Sequence, residues 1–302
     1  MITVLGSINM DLIASVSRLP KPGETVTGEN FVTAPGGKGA NQALAARRAG
    51  ADVIMAGATG EDEFAVPALT YLRYDGVNLN RVKSASKATG VALIFVGTDG
   101  ENVIAIVAGA NGTVTAEDAK AAVGDMKRGD TLMLQMEIPP AAIEAGLKAA
   151  KEKGVISVVN IAPITPDAKR LAEMADVVIA NETEFELFSG KKALDSASRE
   201  AEMLRINQET KQTLIVTLGA EGVVAVRNGS LHRAAGLKIE PVDTVGAGDT
   251  FCGYFAAGLD RGLRFEAALQ RAAVAGSLAC TKAGAQPSIP FDRDVQKNLK
   301  TA

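Results

Sequence analysis

The chain has 302 residues, of which 47% are hydrophobic and 22% charged, enough apolar sequence for a large core and too much for extended disorder. Its net charge is −3, and its Lys and Arg residues are scattered rather than striped, which excludes the electrostatic footprint of a nucleic-acid binder and requires any bound phosphate to be gripped locally. No apolar run reaches the ~18 residues of a membrane span, and the chain enters the strand-like "ITVLGS" without a basic leader, so a cytoplasmic protein is expected.

Length favours one α/β domain over residues 1–302 with a small appendage. After the first strand, "GSINMDL" sets Asn9 and Asp11 two apart, hence on one side of an extended segment. An amide beside a carboxylate can hold neighbouring hydroxyls; ordinary turn chemistry is the alternative. The following "DLIASVSRLPKPGETVTGENFV" alternates with the period of antiparallel strands.

In "APGGKGANQALAARRAG", Gly36, Gly37 and Gly39 predict a flexible turn, with Lys38 and Asn41 projecting near the start of a helix over Gly39 to Arg48. This is not a Walker loop, because Val32 stands where that pattern needs Gly and Lys38 is followed by Gly. A polar-ligand site at a strand-to-helix turn is the better reading. The strand "DVIMAG" and a helix over Phe64 to Tyr74, closed by Gly76, come next. "GVALIFVGTDGENVIAIVAGAN" again alternates with period two, with a hairpin signal at Asp99-Gly100. The two alternating segments interrupt an α/β rhythm, so they predict an inserted β lid of residues 10–35 and 88–108.

From about residue 130 that rhythm is regular: "TLMLQM", "PAAIEAGLKAAKEKG", "VISVVN", a helix to Met174, then "DVVIA", the pattern of βαβ units around a parallel sheet. Glu137 lies just past a buried strand, at the carboxyl end where α/β proteins bind ligands. In "ANETEFELF", Asn181 and Glu184 share a helical face. Glu184 could hold a Mg²⁺-bound water, and the same pair forms an ordinary capping box. Thr217 and Gly219 stand at another strand end, and "GVVAVRNGSLHRA" predicts a hairpin turning at Asn228-Gly229 on the far edge of the sheet.

The most informative stretch is "DTVGAGDTFCGYFAAG". Gly246 and Gly248 free the backbone at the first turn of an apolar helix, which makes an anion site by geometry and dipole. Asp249 in that turn would repel a phosphate unless a hydroxyl lay between them, so the arrangement points to phosphoryl transfer with Asp249 as base. An Asp favoured in any first turn is the alternative. Cys252 and Cys280 fit core filling. The single histidine, His232, is expected at the surface and rules out a His-based triad.

Together, "GSINMD", "GGKGANQA", "NETE", "TLGAEG", "DTVGAGDTF" and "GAQPS", in that order from Ile2 to about Pro290, resemble the ribokinases of the carbohydrate kinase family. The resemblance implies a three-layer α/β/α body with a β-sheet lid, a homodimer of interlocking lids, and ATP-dependent phosphorylation of D-ribose at its 5-hydroxyl. It implies that Asp249 is the catalytic base and that Gly246, Ala247 and Gly248 form the anion hole. Asn9, Asp11, Gly37, Lys38, Asn41 and Glu137 match ribose-contacting positions. Asn181, Thr217 and Gly219 match ATP positions, and Glu184 matches the acid linked to Mg²⁺. Asp243, Val245, Ala279, Lys282, Gly284 and Ser288 match the site of a monovalent cation, usually K⁺. Two departures stand out: Ala272 where many relatives carry Asn or His against the adenine, and "TKAG" in the cation segment. The rival readings are the same chemistry on deoxyribose, another sugar or a nucleoside, and a sugar sensor without turnover. A nicotinamide-dependent enzyme has no GxGxxG to support it.

Overall fold

A computed structural model describes residues 1–99 and 101–299. Its strands are β1 (Ile2–Leu5), β2 (Asn9–Val16), β3 (Gly28–Gly36), β4 (Val53–Thr59), β5 (Asn78–Ser84), β6 (Gly90–Gly97), β7 (Asn102–Val107), β8 (Thr131–Leu134), β9 (Ile156–Asn160), β10 (Val177–Asn181), β11 (Thr213–Thr217), β12 (Val223–Arg227) and β13 (Ser230–Ala234). Nine of them form one sheet in the order β13-β12-β11-β10-β9-β8-β1-β4-β5. Neighbours from β11 to β5 run parallel, and β12 and β13 are antiparallel at the edge. Their hairpin turns at Asn228 and Gly229, both with positive φ, which is why that dipeptide suits the position.

Helices cover both faces, as a parallel sheet requires. Along β1, Ile2 and Val4 pack into a core cluster with the helices Lys38–Arg48, Ala247–Asp260 and Phe265–Ala279. On the other face, Leu132 and Leu134 of β8 join a second cluster with helices Ala116–Gly124, Pro140–Lys153 and Ser196–Thr210. The Lys38–Arg48 and Ala247–Asp260 helices approach closely because Gly253 carries no side chain: a Cβ there would lie 2.6 Å from the Gln42 carbonyl oxygen. That contact fixes the spacing of the two helices that carry the site.

The remaining four strands form a separate sheet, β3-β2-β6-β7. It coincides with the two segments expected as the insertion, but it is mixed rather than wholly antiparallel, since β2 and β6 run parallel in the centre. The two segments lie far apart in sequence and no hairpin joins them, so their relative direction is free to be parallel. The Asp99-Gly100 turn falls partly outside the described residues, because Gly100 does; the flanking Gly97 N–H donates to the Glu101 carbonyl at 2.9 Å.

Three expectations need correction. The helix expected over Phe64 to Tyr74 is two short ones, Ala65–Ala68 and Thr70–Tyr74, because at Leu69 the ladder tightens to a bond with Val66. The helix expected to reach Met174 is confined to Ala168–Ala172. His232 is half-buried rather than at the surface, with its ring edge-on to Phe265 at 5.0 Å and Nδ1 3.2 Å from Glu266.

Candidate active site

The site is assembled at the carboxyl ends of the parallel strands. In the main sheet β1 has β4 on one side and β8 on the other, so the strand order changes direction at β1 and a crevice opens there. Ser7, just after β1, bridges it by donating to Glu137 Oε2 at 2.5 Å, and the Lys38 N–H donates to the same oxygen at 3.2 Å. Gly37 enters the helix with φ 88°, and a Cβ there would sit 2.7 Å from Asn9 N. No other residue tolerates both the positive φ and that backbone approach.

Asn9 begins β2, and its side chain is held by Asn111, whose Nδ2 donates to Asn9 Oδ1 at 2.7 Å. Asp11, two residues along the same strand, faces Gly36, where any side chain would collide with its carboxylate. Burial pushes the Asp11 carboxyl up to about 7, with the charges of Glu137 and Asp249 adding to the rise and Lys38 opposing it. Lys38 loses from burial, but Asp249, Glu137 and Glu184 outweigh that loss and its pKa is raised.

Asp249 occupies the first turn of the Ala247–Asp260 helix and is buried. Asn41 Nδ2 donates to its Oδ2 and Gln42 Nε2 to its Oδ1, both at 2.9 Å. Asn41 Oδ1 is buried without a partner among the described residues, an acceptor suited to a ligand hydroxyl. Gly246 caps this helix with φ 77° and packs on the Ala285 backbone, whereas a Cβ at Gly248 would meet open space. The helix therefore presents its first turn and positive dipole end to the cleft, with the Ala247 N–H held by a long 3.3 Å bond to the Thr244 carbonyl.

Beside that turn lies a cavity of about 710 Å³, walled by Ala247, Gly248 and Phe251 on one side and Thr217, Gly219 and Val223 on the other. Its volume falls within the range of small-ligand pockets. The 236–241 segment, Ala273, Ser277 and Cys280 complete it. Ala272, expected against the base, is buried in the core, and its neighbour Ala273 meets the cavity. Cys280 likewise lines this wall and is not core filling, unlike the fully buried Cys252.

Asn181 and Glu184 form a capping box on the Glu182–Ser189 helix, and neither lines the cavity. Burial raises the Glu184 pKa, the Asn181 N–H and Lys38 oppose the rise, and Asp249 adds to it. Glu184 is thus electrostatically coupled to the cleft while serving its helix. Asp243 accepts from Val245 N at 2.9 Å and from Gly284 N at 2.8 Å, so one carboxylate braces two loops against each other. On these loops, Lys282 N bonds the Ala279 carbonyl and Ser288 Oγ that of Ala285.

The structure thus brings Asn9, Asp11, Gly37, Lys38, Asn41, Glu137 and Asp249 to one cleft and Thr217 and Gly219 to the adjoining cavity. Sequence reasoning missed Ser7, Gln42, Asn111, Gln135, Asn160 and the 236–241 segment. For Gln42 a signal existed: a polar residue at a position the helix buries among Ala residues.

The pfkB family carbohydrate kinase model matches residues 1–292. A ribokinase of Haemophilus influenzae is 35% identical over 302 residues, covering 100% of this chain and 99% of that protein. A deoxyribokinase of Salmonella typhi is 33% identical, covering 96% and 95%. Among solved structures, an Arabidopsis thaliana ribokinase complexed with ribose and ATP superimposes with a TM-score of 0.89 at 31% identity, covering 100% and 99%. With the match extending from the first strand to the last helices, this chain belongs to the pfkB family of carbohydrate kinases.

Proposed function

We propose that this protein transfers the γ-phosphoryl group of ATP to the 5-hydroxyl of D-ribose. The observation that carries the reading is Asp249: a buried carboxylate with both oxygens oriented, in the first turn of a helix whose N-terminus opens onto a nucleotide-sized cavity. The sugar oxygen attacks the γ-phosphorus, the bond to the β,γ-bridging oxygen breaks, ADP leaves with that electron pair, and Asp249 takes the hydroxyl proton. The backbone N–H groups of Gly246, Ala247 and Gly248 offset charge on the transferring group. Asn9, Asp11, Gly37, Lys38, Asn41 and Glu137 hold the sugar, and Thr217 and Gly219 border the nucleotide, with Asn181 beside them.

Glu184, coupled to Asp249 and Lys38 across the cleft, is the residue to hold a hydrated Mg²⁺, which when bound neutralises phosphate charge. The carbonyl-rich loops that Asp243 braces suit a K⁺ ion, with Val245, Ala279, Lys282, Gly284 and Ser288 around it; such an ion stabilises the anion-binding turn electrostatically. Residues 10–35 and 88–108 act as a lid that excludes water from the transfer, and two lids pack together in a homodimer working in the cytoplasm.

The reading is tested by ADP formation with Mg-ATP and a panel of sugars and nucleosides, in K⁺ and then Na⁺ buffer. Strong turnover on ribose that falls in Na⁺ is the expected result, and silence across the panel would overturn it. Deoxyribose is the second acceptor to test, on the strength of the Salmonella typhi relative.

A further inference from the structure

Behind the base runs a line of buried amides, of which only the last link, Gln42 to Asp249, touches the reaction as described. Gln135 Nε2 donates to Gln42 Oε1 at 2.7 Å. Gln42 Nε2 then donates to Asp249 Oδ1 at 2.9 Å and to Asn160 Oδ1 at 3.1 Å. Asn160 Nδ2 donates in turn to the Ile179 carbonyl at 3.3 Å. All three side chains are buried.

The polarity of this line is forced. A backbone carbonyl only accepts, so Asn160 must turn its amide nitrogen to Ile179 and its oxygen to Gln42. Gln42 must then direct its NH₂ toward Asn160 and Asp249 and its oxygen toward Gln135. The residues come from just past β8, from the end of β9, from the middle of β10 and from the helix Lys38–Arg48, so the chain of amides references the base to the rigid sheet. Space for it is reserved by Gly6, where any Cβ would run into Gln135 Oε1 and the Gly39 Cα.

We propose that Gln42 is a positioning residue for phosphoryl transfer: locked by Gln135 and Asn160, it fixes the rotation of the Asp249 carboxylate, so that the base faces the sugar hydroxyl before ATP arrives. Asn41 holds the other oxygen, but it also lies among the expected sugar contacts and is free to adjust when sugar binds. Gln42 has no such second duty. This inference rests on the proposed kinase reading for its kinetic arm, and its structural arm is independent of activity.

Gln42→Met keeps the length of the side chain and removes both polar groups. It should lower kcat by 10- to 10²-fold, the scale on which small misplacements of reacting groups act, with sugar and ATP KM within about twofold and a lowered Tm, because Gln135, Asn160 and Asp249 each lose a buried partner. Gln42→Glu provides the decisive signature. Its ionised carboxylate repels Asp249, but protonated it again donates, so the ratio of Gln42→Glu to wild-type kcat should rise as pH falls. A merely structural role gives a flat ratio. In the structural arm, the Gln42 side-chain amide signals should be protected from exchange in the wild-type protein and shift on Asp249→Ala. Native kcat in Gln42→Met, a flat pH ratio, or amide signals indifferent to Asp249 would each overturn the proposal. If wild-type protein turned over no sugar, the kinase reading would fall, and the amide signals would still decide whether Gln42 holds Asp249.

Discussion

Asn111 holds Asn9 in one orientation: its Nδ2 donates to Asn9 Oδ1 at 2.7 Å while its Oδ1 accepts the Ile8 N–H at 2.9 Å. With its oxygen turned to Asn111, Asn9 directs its amide N–H₂ away from that pair and serves as a donor to the sugar. Gly90, at the start of β6, makes room for the pair, since a Cβ there would strike both amides. Asn111→Leu should raise the sugar KM with ATP KM unchanged, and should cost about 1–3 kcal/mol because the buried Ile8 N–H loses its acceptor. Sugar-dependent kinetics and thermal unfolding of the variant check both parts.

The reading that assigns Asp249 the proton is tested most directly by its removal. Asp249→Ala should lower kcat by about 10²–10⁴-fold, as for a lost general base, and leave ATP binding close to normal, since the cavity wall is formed by Ala247, Gly248 and Phe251 rather than by this side chain. Nucleotide titration by calorimetry and single-turnover kinetics separate the two effects. A variant with near-native turnover would remove Asp249 from the mechanism.

Much of this architecture was legible in the sequence, for identifiable physical reasons. Continuous apolar runs such as "TLML" and "VVIA" are buried on both faces and could hardly be anything but central strands of a parallel sheet. Gly37 and Gly246 carry positive φ at helix starts, where the sequence offered glycine beside polar candidates. What remained hidden depends on tertiary meeting. Gln42, Gln135 and Asn160 lie on separate elements, and nothing local marks them as one hydrogen-bonded line. The direction of β2 against β6 was likewise invisible, because strand periodicity is the same in parallel and antiparallel ladders. The one-residue slip from Ala272 to Ala273 reflects a helix rotation of about 100°, which a motif read without its partner surface does not determine.

Asp11 predicts a pH dependence with opposite consequences for binding and for stability. Its carboxyl stands at about 7 in the fold against an ordinary 3.8. Between those values the folded protein keeps a proton that the unfolded chain has released, so stability falls as pH rises from about 4 to 7 and levels off above. Asp11→Asn lacks this slope, and its Tm relative to wild type should be more favourable at pH 8 than at pH 4. Sugar hydroxyls, however, donate best to the ionised form, so the wild-type sugar KM should fall as pH rises from about 6 to 8. A KM flat across that range would remove Asp11 as an ionised sugar contact.

The register of the four-stranded sheet makes the proposed lid dimer testable by face. Ala14 pairs with Phe31 and with Phe95, and Phe95 with Val103, so these side chains form a row across all four strands. Asp11 is an odd number of residues from Ala14 and points to the opposite face, toward the cleft. The outward row is unusually apolar for a free surface, with Phe31 63% and Val103 54% exposed, and two open edges flank it. A second copy of the lid would cover both the row and the edges. Phe31→Asp combined with Val103→Asp should therefore give a monomer by light scattering with the α/β body still folded. Val32→Asp, on the Asp11 face and also exposed, should leave the dimer intact and act on sugar kinetics instead. A wild-type protein that is monomeric at micromolar concentration, or equal dissociation by both kinds of variant, would rule out the outward row as the interface.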